Sequence, residues 1–299
     1  MSILYDKIKN KTGEKTMSSA LVFSIEEFSV FDGPGIRTSV FLMGCPLRCE
    51  WCHNPEGQGF KNFILRSPNG CIKCGHCQKH VINEGDKTFF TEESIKNCPN
   101  ALLRYCAKEY TAEDLCSKLE KNISILNATG GGITFSGGEP TSSPEFLLDA
   151  LSLLEGKTNR AVQTCGYCAP SVFDKVLDNC DYILFDIKLV DDALSKKYTG
   201  VSSAPILENF QKLVSSGKEF VIRTPLIPGV TDTEENIEAI ARLLAKNGVK
   251  YIELLPYNKM AGSKYSLAGK VFEPSFDESV PIVIRKEIFE KYGIEAVKI

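Results

Sequence analysis

Nothing in these 299 residues is apolar for long enough to cross a bilayer, and the N-terminus lacks the charged-then-apolar order of a signal peptide. Neither sign of charge dominates, with 35 Lys and Arg against 38 Asp and Glu. That balance gives no electrostatic reason to expect nucleic acid or an anionic membrane as partner. A cytoplasmic protein is the expectation. Cysteine is missing from the whole last third: none of the twelve lies beyond Cys180. Without an export signal, twelve cysteines argue against a disulfide framework, because reducing conditions keep thiols free and dense spacing then points to metal. Seven of the twelve fall between Cys45 and Cys98. Metal chemistry is therefore expected near the front, with scaffold and pocket behind it.

What is present is a rhythm. Apolar, β-rich runs occur at 37–43, 132–135, 160–164, 182–187, 220–224 and 251–255, with a possible last one at 294–299. Segments of helical spacing lie between the later runs, at 144–154, 171–177, 206–215 and 234–246, several preceded by a capping Ser or Thr. Strand–helix alternation predicts parallel strands with helices outside them, here an open or partial barrel. Residues 1–20 are polar and lysine-rich and are expected to form a leader before a barrel domain over 21–299. The stretch 61–109 breaks the rhythm. It is polar and Cys-rich, and is expected to be a small insertion held folded by metal ligands.

The first cysteine set is Cys45, Cys49 and Cys52, spaced C-x3-C-x2-C. Three such thiols can hold three irons of a cubane cluster, and with no fourth Cys adjacent one iron stays open for chemistry. The alternative is a zinc loop completed by His53 or a distant Cys. Zinc sites, however, usually pair C-x2-C with a second pair elsewhere.

With aromatic Trp51 before its last cysteine, this triplet resembles the cluster motif of the radical S-adenosylmethionine (SAM) superfamily. The flanking Phe31-Asp32-Gly33-Pro34-Gly35-Ile36-Arg37 and Cys52-His53-Asn54-Pro55-Glu56 resemble the glycyl radical enzyme activating enzymes, of the pyruvate formate-lyase activating type. The resemblance covers the chain from about residue 25 onward. It implies a partial (β/α)6, TIM-like barrel and a 4Fe–4S cluster on the three cysteines, with SAM chelating the open iron. It implies reductive cleavage of SAM to a 5′-deoxyadenosyl radical, which takes a hydrogen atom from a backbone glycine of a partner glycyl radical enzyme. A flavodoxin or ferredoxin is implied as reductant.

Further positions follow by the same resemblance. Gly137, Gly138 and Glu139 match the motif that receives the methionyl amino group, the glycines letting backbone approach a ligand. Thr164, Asp186, Lys188 and Arg223 stand at strand ends, where barrels collect ligands. Asp186 and Lys188 are two apart and so share a strand face. Lys188 and Arg223 are candidates for SAM's carboxylate or ribose, or else ion pairs under a loop. Trp51 is a candidate for the adenine or a core aromatic. Asn258 stands where relatives carry His. Gln163 replaces an acidic residue that in the pyruvate formate-lyase type helps bind a monovalent cation, which leaves that cation open here. Cys165 and Cys168 have C-x2-C spacing, which can mean redox or zinc, but with no second pair they read as ordinary thiols.

Within the insertion, Cys71, Cys74 and Cys77 form C-x2-C-x2-C, and Cys98-Pro99 follows. The pattern looks like a bacterial ferredoxin reduced to one cluster. The fourth cysteine after such a triplet normally serves a second cluster; here Val81 takes its place and no second triplet occurs. One auxiliary 4Fe–4S cluster on Cys71, Cys74, Cys77 and Cys98 is expected, with Cys106 as an alternative fourth ligand and a zinc knuckle as the alternative site. Two other functions compete: a radical SAM enzyme acting on a small molecule or peptide, and a ferredoxin-type electron carrier. The absence of Cys after Cys180 and the Asp32–Arg37 run speak against the first. The missing fourth Cys of the first set speaks against the second.

Overall fold

The computed structural model describes residues 18–67, 69–85 and 87–299, so most of the expected leader lies outside the described residues. The strands are β1 (Ser19–Ser29), β2 (Arg37–Leu42), β3 (Ile64–Arg66), β4 (Ile82–Glu84), β5 (Lys87–Phe89), β6 (Leu103–Tyr105), β7 (Lys108–Thr111), β8 (Gly132–Gly137), β9 (Asn159–Thr164), β10 (Tyr182–Asp186), β11 (Glu219–Leu226), β12 (Tyr251–Pro256) and β13 (Glu295–Lys298). The helices are α1 (Glu92–Lys96), α2 (Ala112–Leu119), α3 (Ile123–Ala128), α4 (Pro144–Leu153), α5 (Pro170–Asn179), α6 (Asp192–Thr199), α7 (Ala204–Ser215), α8 (Glu234–Lys246), α9 (Ala261–Leu267) and α10 (Lys286–Lys291).

Nine strands form one sheet in the order β13-β12-β11-β10-β9-β8-β2-β1-β7. From β2 to β13 every neighbouring pair is parallel, as the strand–helix alternation predicts. β1 and β7 extend the sheet in the antiparallel sense and were not expected. β1 escapes a period-2 reading because two register shifts interrupt it, and Phe28 takes a left-handed φ of 63° in the second. The sheet begins at Ser19, which shortens the leader, and Lys108 and Glu109 belong to the main sheet rather than to the insertion. The remaining insertion strands form two small antiparallel pairs, β3–β6 and β4–β5.

Side-chain alternation gives the sheet two faces. On the outer face Val162, Ile183, Phe185 and Ile222 are buried in the main core with Phe146, Phe173 and Phe210 from the helices. There α2 packs on α4, α4 on α5 and α5 on α7, while α8 packs on α10. On the inner face Ala161, Leu184 and Val221 form a thin apolar layer. Continuing those inner positions toward the strand ends brings the chain to Gln163, Asp186 and Arg223.

The Asp32–Arg37 run is a turn locked by buried polar groups. The Asp32 carboxylate accepts hydroxyl hydrogen bonds from Ser29 and Ser39, both at 2.6 Å. Arg37 is fully buried and donates to Thr134 Oγ1 (2.6 Å), Ile133 O (2.8 Å), Pro34 O (3.1 Å) and Asn159 O (3.1 Å). Burial lowers its pKa to about 10 against the opposing pull of Asp32. A buried guanidinium is tolerable only when its donors are met in this way. At Gly35, with φ of 65°, an added Cβ would lie 2.4 Å from Gly131 N, so the turn requires a glycine.

Candidate active site

The chain leaves β2 at Leu42 and enters the loop bearing Cys45, Cys49 and Cys52. Backbone hydrogen bonds fasten this loop on two sides. Gly138 N donates to Leu42 O, Glu139 N to Gly44 O and Gly44 N to Gly57 O, each at 2.8 Å. Opposite, Arg48 N donates to Thr199 O at 2.7 Å and Glu50 N to Tyr198 O at 3.1 Å, tying the loop to the end of α6. The glycines after β8 serve that closure. A Cβ on Gly137 would sit 2.3 Å from Leu42 N, and one on Gly138 would sit 2.5 Å from both Gly44 O and Gly57 O. Their physical role here is contact with the cysteine loop's own backbone, where the sequence suggested approach to a ligand.

A cavity of about 600 Å³ opens between this loop and the strand ends. Cys45, Cys49 and Cys52 line it together with Trp51, Gly137, Gly138, Glu139, Thr164, Asp186, Lys188 and Asn258. Of the positions singled out in the sequence for this site, Arg223 alone is absent from the lining. Its Nε lies 2.7 Å from Glu253 Oε2, and the two residues are direct neighbours across β11 and β12. Arg223 is thus the buried ion pair of the two alternatives, and it also donates to Phe31 O. Trp51 is only 4 % exposed and packs with Leu47, Leu189 and Ile227, so it is a core aromatic whose surface also reaches the cavity.

Glu139 is engaged on every side. Its Oε1 accepts from Thr141 N (3.1 Å), Thr141 Oγ1 (2.7 Å) and Thr164 Oγ1 (2.6 Å), and its Oε2 from Cys165 N (2.9 Å) and Cys165 Sγ (3.0 Å). The carboxylate therefore stitches the end of β8 to the end of β9. Asp186 differs: its Oδ2 lies 3.0 Å from Lys188 Nζ, while its buried Oδ1 has no hydrogen-bond partner among the described residues. A buried carboxylate oxygen without a donor is costly unless a ligand supplies one. Burial works against the charge of Lys188, but Asp186 and the thiols of Cys165 and Cys49 outweigh it and raise its pKa. Asn258 uses its side-chain oxygen to accept from Met260 N at 2.9 Å.

Burial pushes the Cys45 and Cys49 thiols up to about 12, with Glu139 adding to the first, and burial raises Cys52 as well. Three half-buried or buried thiols facing one chamber, none crosslinked, are a donor set that fits an iron–sulfur cluster. His53 lies edge-on to Tyr257 at 5.9 Å, and among the described residues no three His, Cys, Asp or Glu side chains gather to hold a single metal ion. Sequence reasoning missed Ser136, Gln58, Tyr257 and Ile299, which also line the cavity. No local motif marks them; they arrive by register and chain crossing. Phe31 and Asp32, quoted only as part of a resemblance, reach the same chamber. Cys165 lies there too, fully engaged with Glu139.

A second cavity, of about 350 Å³, lies in the insertion and is lined by Cys71, Cys74, Cys77 and Cys98. Arg66 Nη2 lies 3.5 Å from Cys71 Sγ, and Leu102 N lies 3.4 Å from Cys98 Sγ. The backbone N–H of Lys73 and then Arg66 lower the Cys71 pKa. N–H donors aimed at thiol sulfur suit thiolate ligands, so this donor set also fits a cluster. Cys106 is buried elsewhere, against Met43 and Leu65.

Residues 39–244 match the radical SAM superfamily. The chain is 37 % identical to an isethionate sulfite-lyase activating enzyme of Oleidesulfovibrio alaskensis, over 94 % of this chain and 98 % of the relative. It is 35 % identical to a 4-hydroxyphenylacetate decarboxylase activating enzyme of Clostridium scatologenes, over 85 % of this chain and 88 % of that one. In fold it is similar to the Streptococcus suis protein SuiB bound to its precursor peptide, at a TM-score of 0.53 and 12 % identity, covering 86 % of this chain and 47 % of that one.

Proposed function

The chain belongs to the radical SAM superfamily, among the activating enzymes of glycyl radical enzymes, and we propose that it activates such an enzyme through the cavity beneath its first cysteine loop. The observation that carries this is the meeting of Cys45, Cys49 and Cys52 with the Gly137–Glu139 strand end, Asp186 and Lys188 around one chamber. When bound, the 4Fe–4S cluster and SAM supply one electron and a 5′-deoxyadenosyl radical that takes the Cα hydrogen of a partner glycine.

This chain's residues hold and shield. Cys45, Cys49 and Cys52 would hold three irons of the cluster and leave one for SAM. The unengaged Oδ1 of Asp186 would receive an N–H or O–H of SAM, and Lys188 would set a cation beside an anionic group. Glu139, with its own oxygens engaged, fixes the Thr164 hydroxyl and the Cys165 backbone beside the ligand. Trp51 closes one apolar wall, and Asn258 offers its amide N–H donors where relatives carry His. Arg223 acts on the site only through Phe31, by its bond to that carbonyl. Gln163 Oε1 accepts from Ser136 at 3.1 Å and keeps a second lone pair, so it is the oxygen left for a monovalent cation near SAM.

We read the sheet as a partial (β/α)6 barrel from β1 to the last strand, and 61–107 as a ferredoxin-like insertion holding one auxiliary 4Fe–4S cluster on Cys71, Cys74, Cys77 and Cys98. The external reductant is a flavodoxin or ferredoxin, and the setting is cytoplasmic. The test is anaerobic reconstitution, reduction and addition of SAM, with 5′-deoxyadenosine quantified beside Cys49→Ala. Product from the wild type alone supports the reading. Intact SAM with a fully loaded, reduced cluster removes it.

A further inference from the structure

The charge of this chain is unevenly shared. Residues 61–107 carry seven Lys and Arg against four Asp and Glu, whereas the whole chain is net -3. Two of the acids, Glu92 and Glu93, are held by Lys96, each at 3.0 Å. Arg66 and Lys73 make no ion pair among the described residues, and both line the cavity of the four insertion cysteines, which no carboxylate lines. The rim is open. Cys74 and Lys73 are exposed, and Ile72 between Cys71 and Lys73 is 64 % exposed. A short packed route leads inward. Leu65, next to Arg66, shares a small buried cluster with Met43, which lies two residues before Cys45.

We propose that this rim is the docking face for an acidic one-electron carrier protein, received by Lys73 and Arg66 around an exposed apolar contact at Ile72. The proposal rests on the auxiliary cluster and external reductant of the preceding section, and adds where the reductant meets the chain. An anionic carrier is repelled by the net negative remainder of the molecule and drawn to this face, which sets orientation as well as encounter rate. Electron transfer there needs close approach to the cysteine loop, and a rim with two cations and, among the described residues, no carboxylate permits it.

The test mixes anaerobically reconstituted holoenzyme with flavodoxin hydroquinone in a stopped-flow instrument and follows cluster reduction at low and high salt. Lys73→Glu and the double variant Lys73→Glu with Lys79→Glu, Lys79 being an exposed lysine two residues after Cys77, are compared with wild type. Arg66 is left in place because it bonds Cys71. Lys246→Glu, at an exposed position ending α8, is the control. The second-order rate is expected to fall about tenfold in the double variant at low salt and to lose most of its salt dependence. Reduction by deazaflavin semiquinone, a small donor generated by light with a sacrificial amine as electron source, should not change. An unchanged flavodoxin rate, or an equal loss in Lys246→Glu, overturns the proposal. So does a variant reduced normally by flavodoxin that no longer activates a glycyl radical enzyme, since the face would then belong to that partner. Iron content of the same samples reports the underlying reading separately: one cluster's worth in wild type removes the auxiliary cluster, and this docking face with it.

Discussion

The two cysteine sites use the same side chain in opposite surroundings. Cys45, Cys49 and Cys52 face a chamber walled by strand ends, and burial pushes two of their thiols up to about 12. Cys71 sits in an open loop where backbone and guanidinium N–H groups push its thiol down. The first site is built by the whole sheet, whose β2, β8, β9 and β10 ends converge on it. The second is built by its own loop and a few neighbours. Burial makes bare thiolates costly in the first, so there a bound cluster must stabilise the charge that the protein alone would not. In the second, the local hydrogen bonds already favour thiolate.

The sharpest break between the two sites is by ligand removal. Cys49→Ala should cut 5′-deoxyadenosine formation on the order of 10³-fold or more while leaving the insertion's iron in place. Cys98→Ala should do the reverse, losing the insertion's iron while product still forms with a chemical reductant. If iron analysis shows both sites emptied by either change, the two are not independent. Metal-free protein sharpens the electrostatic contrast. At pH 8 the thiolate fraction of Cys49, with a pKa of about 12, is on the order of 10⁻⁴. Iodoacetamide followed by peptide mass spectrometry should therefore label Cys71 far ahead of Cys49, and equal labelling would show that the chamber opens without its cluster.

Stability effects come next. Arg37→Met would leave Thr134 and the Ile133 and Asn159 carbonyls without their buried donor. A loss of about 2–4 kcal/mol is expected in urea unfolding. Glu139→Gln keeps the shape but turns one oxygen into a donor facing Thr164 or Cys165, for about 1–3 kcal/mol. Weaker SAM binding should accompany it, because the strand end it stitches lines the chamber. Smallest is Cys106→Ala. Its thiol is buried away from the insertion cavity, so iron content should hold and only about 1 kcal/mol should be lost. Lost iron would return Cys106 to the ligand set.

Several features were legible from local spacing alone. The three cysteines of C-x3-C-x2-C share one loop because no intervening chain can carry them apart, and the insertion triplet behaves likewise. The parallel strands were legible because helices of amphipathic spacing separate them, and α8 runs over the predicted Glu234–Lys246. β1 was not, since its alternation is broken by bulges, nor was β7, a short exposed edge strand.

What the sequence by itself determined is therefore the donor chemistry and its grouping, since these depend on residues a few positions apart. Tertiary structure decided which distant groups meet. Register across β11 and β12 puts Arg223 beside Glu253 rather than in the chamber. Convergence of β8 with β9 saturates Glu139, while Asp186 keeps one oxygen unengaged. Packing of β3 and β6 takes Cys106 into a core and leaves Cys98 at the insertion cavity. Such choices turn on single steps of register, and one residue of slip along a strand reverses the face that a side chain occupies.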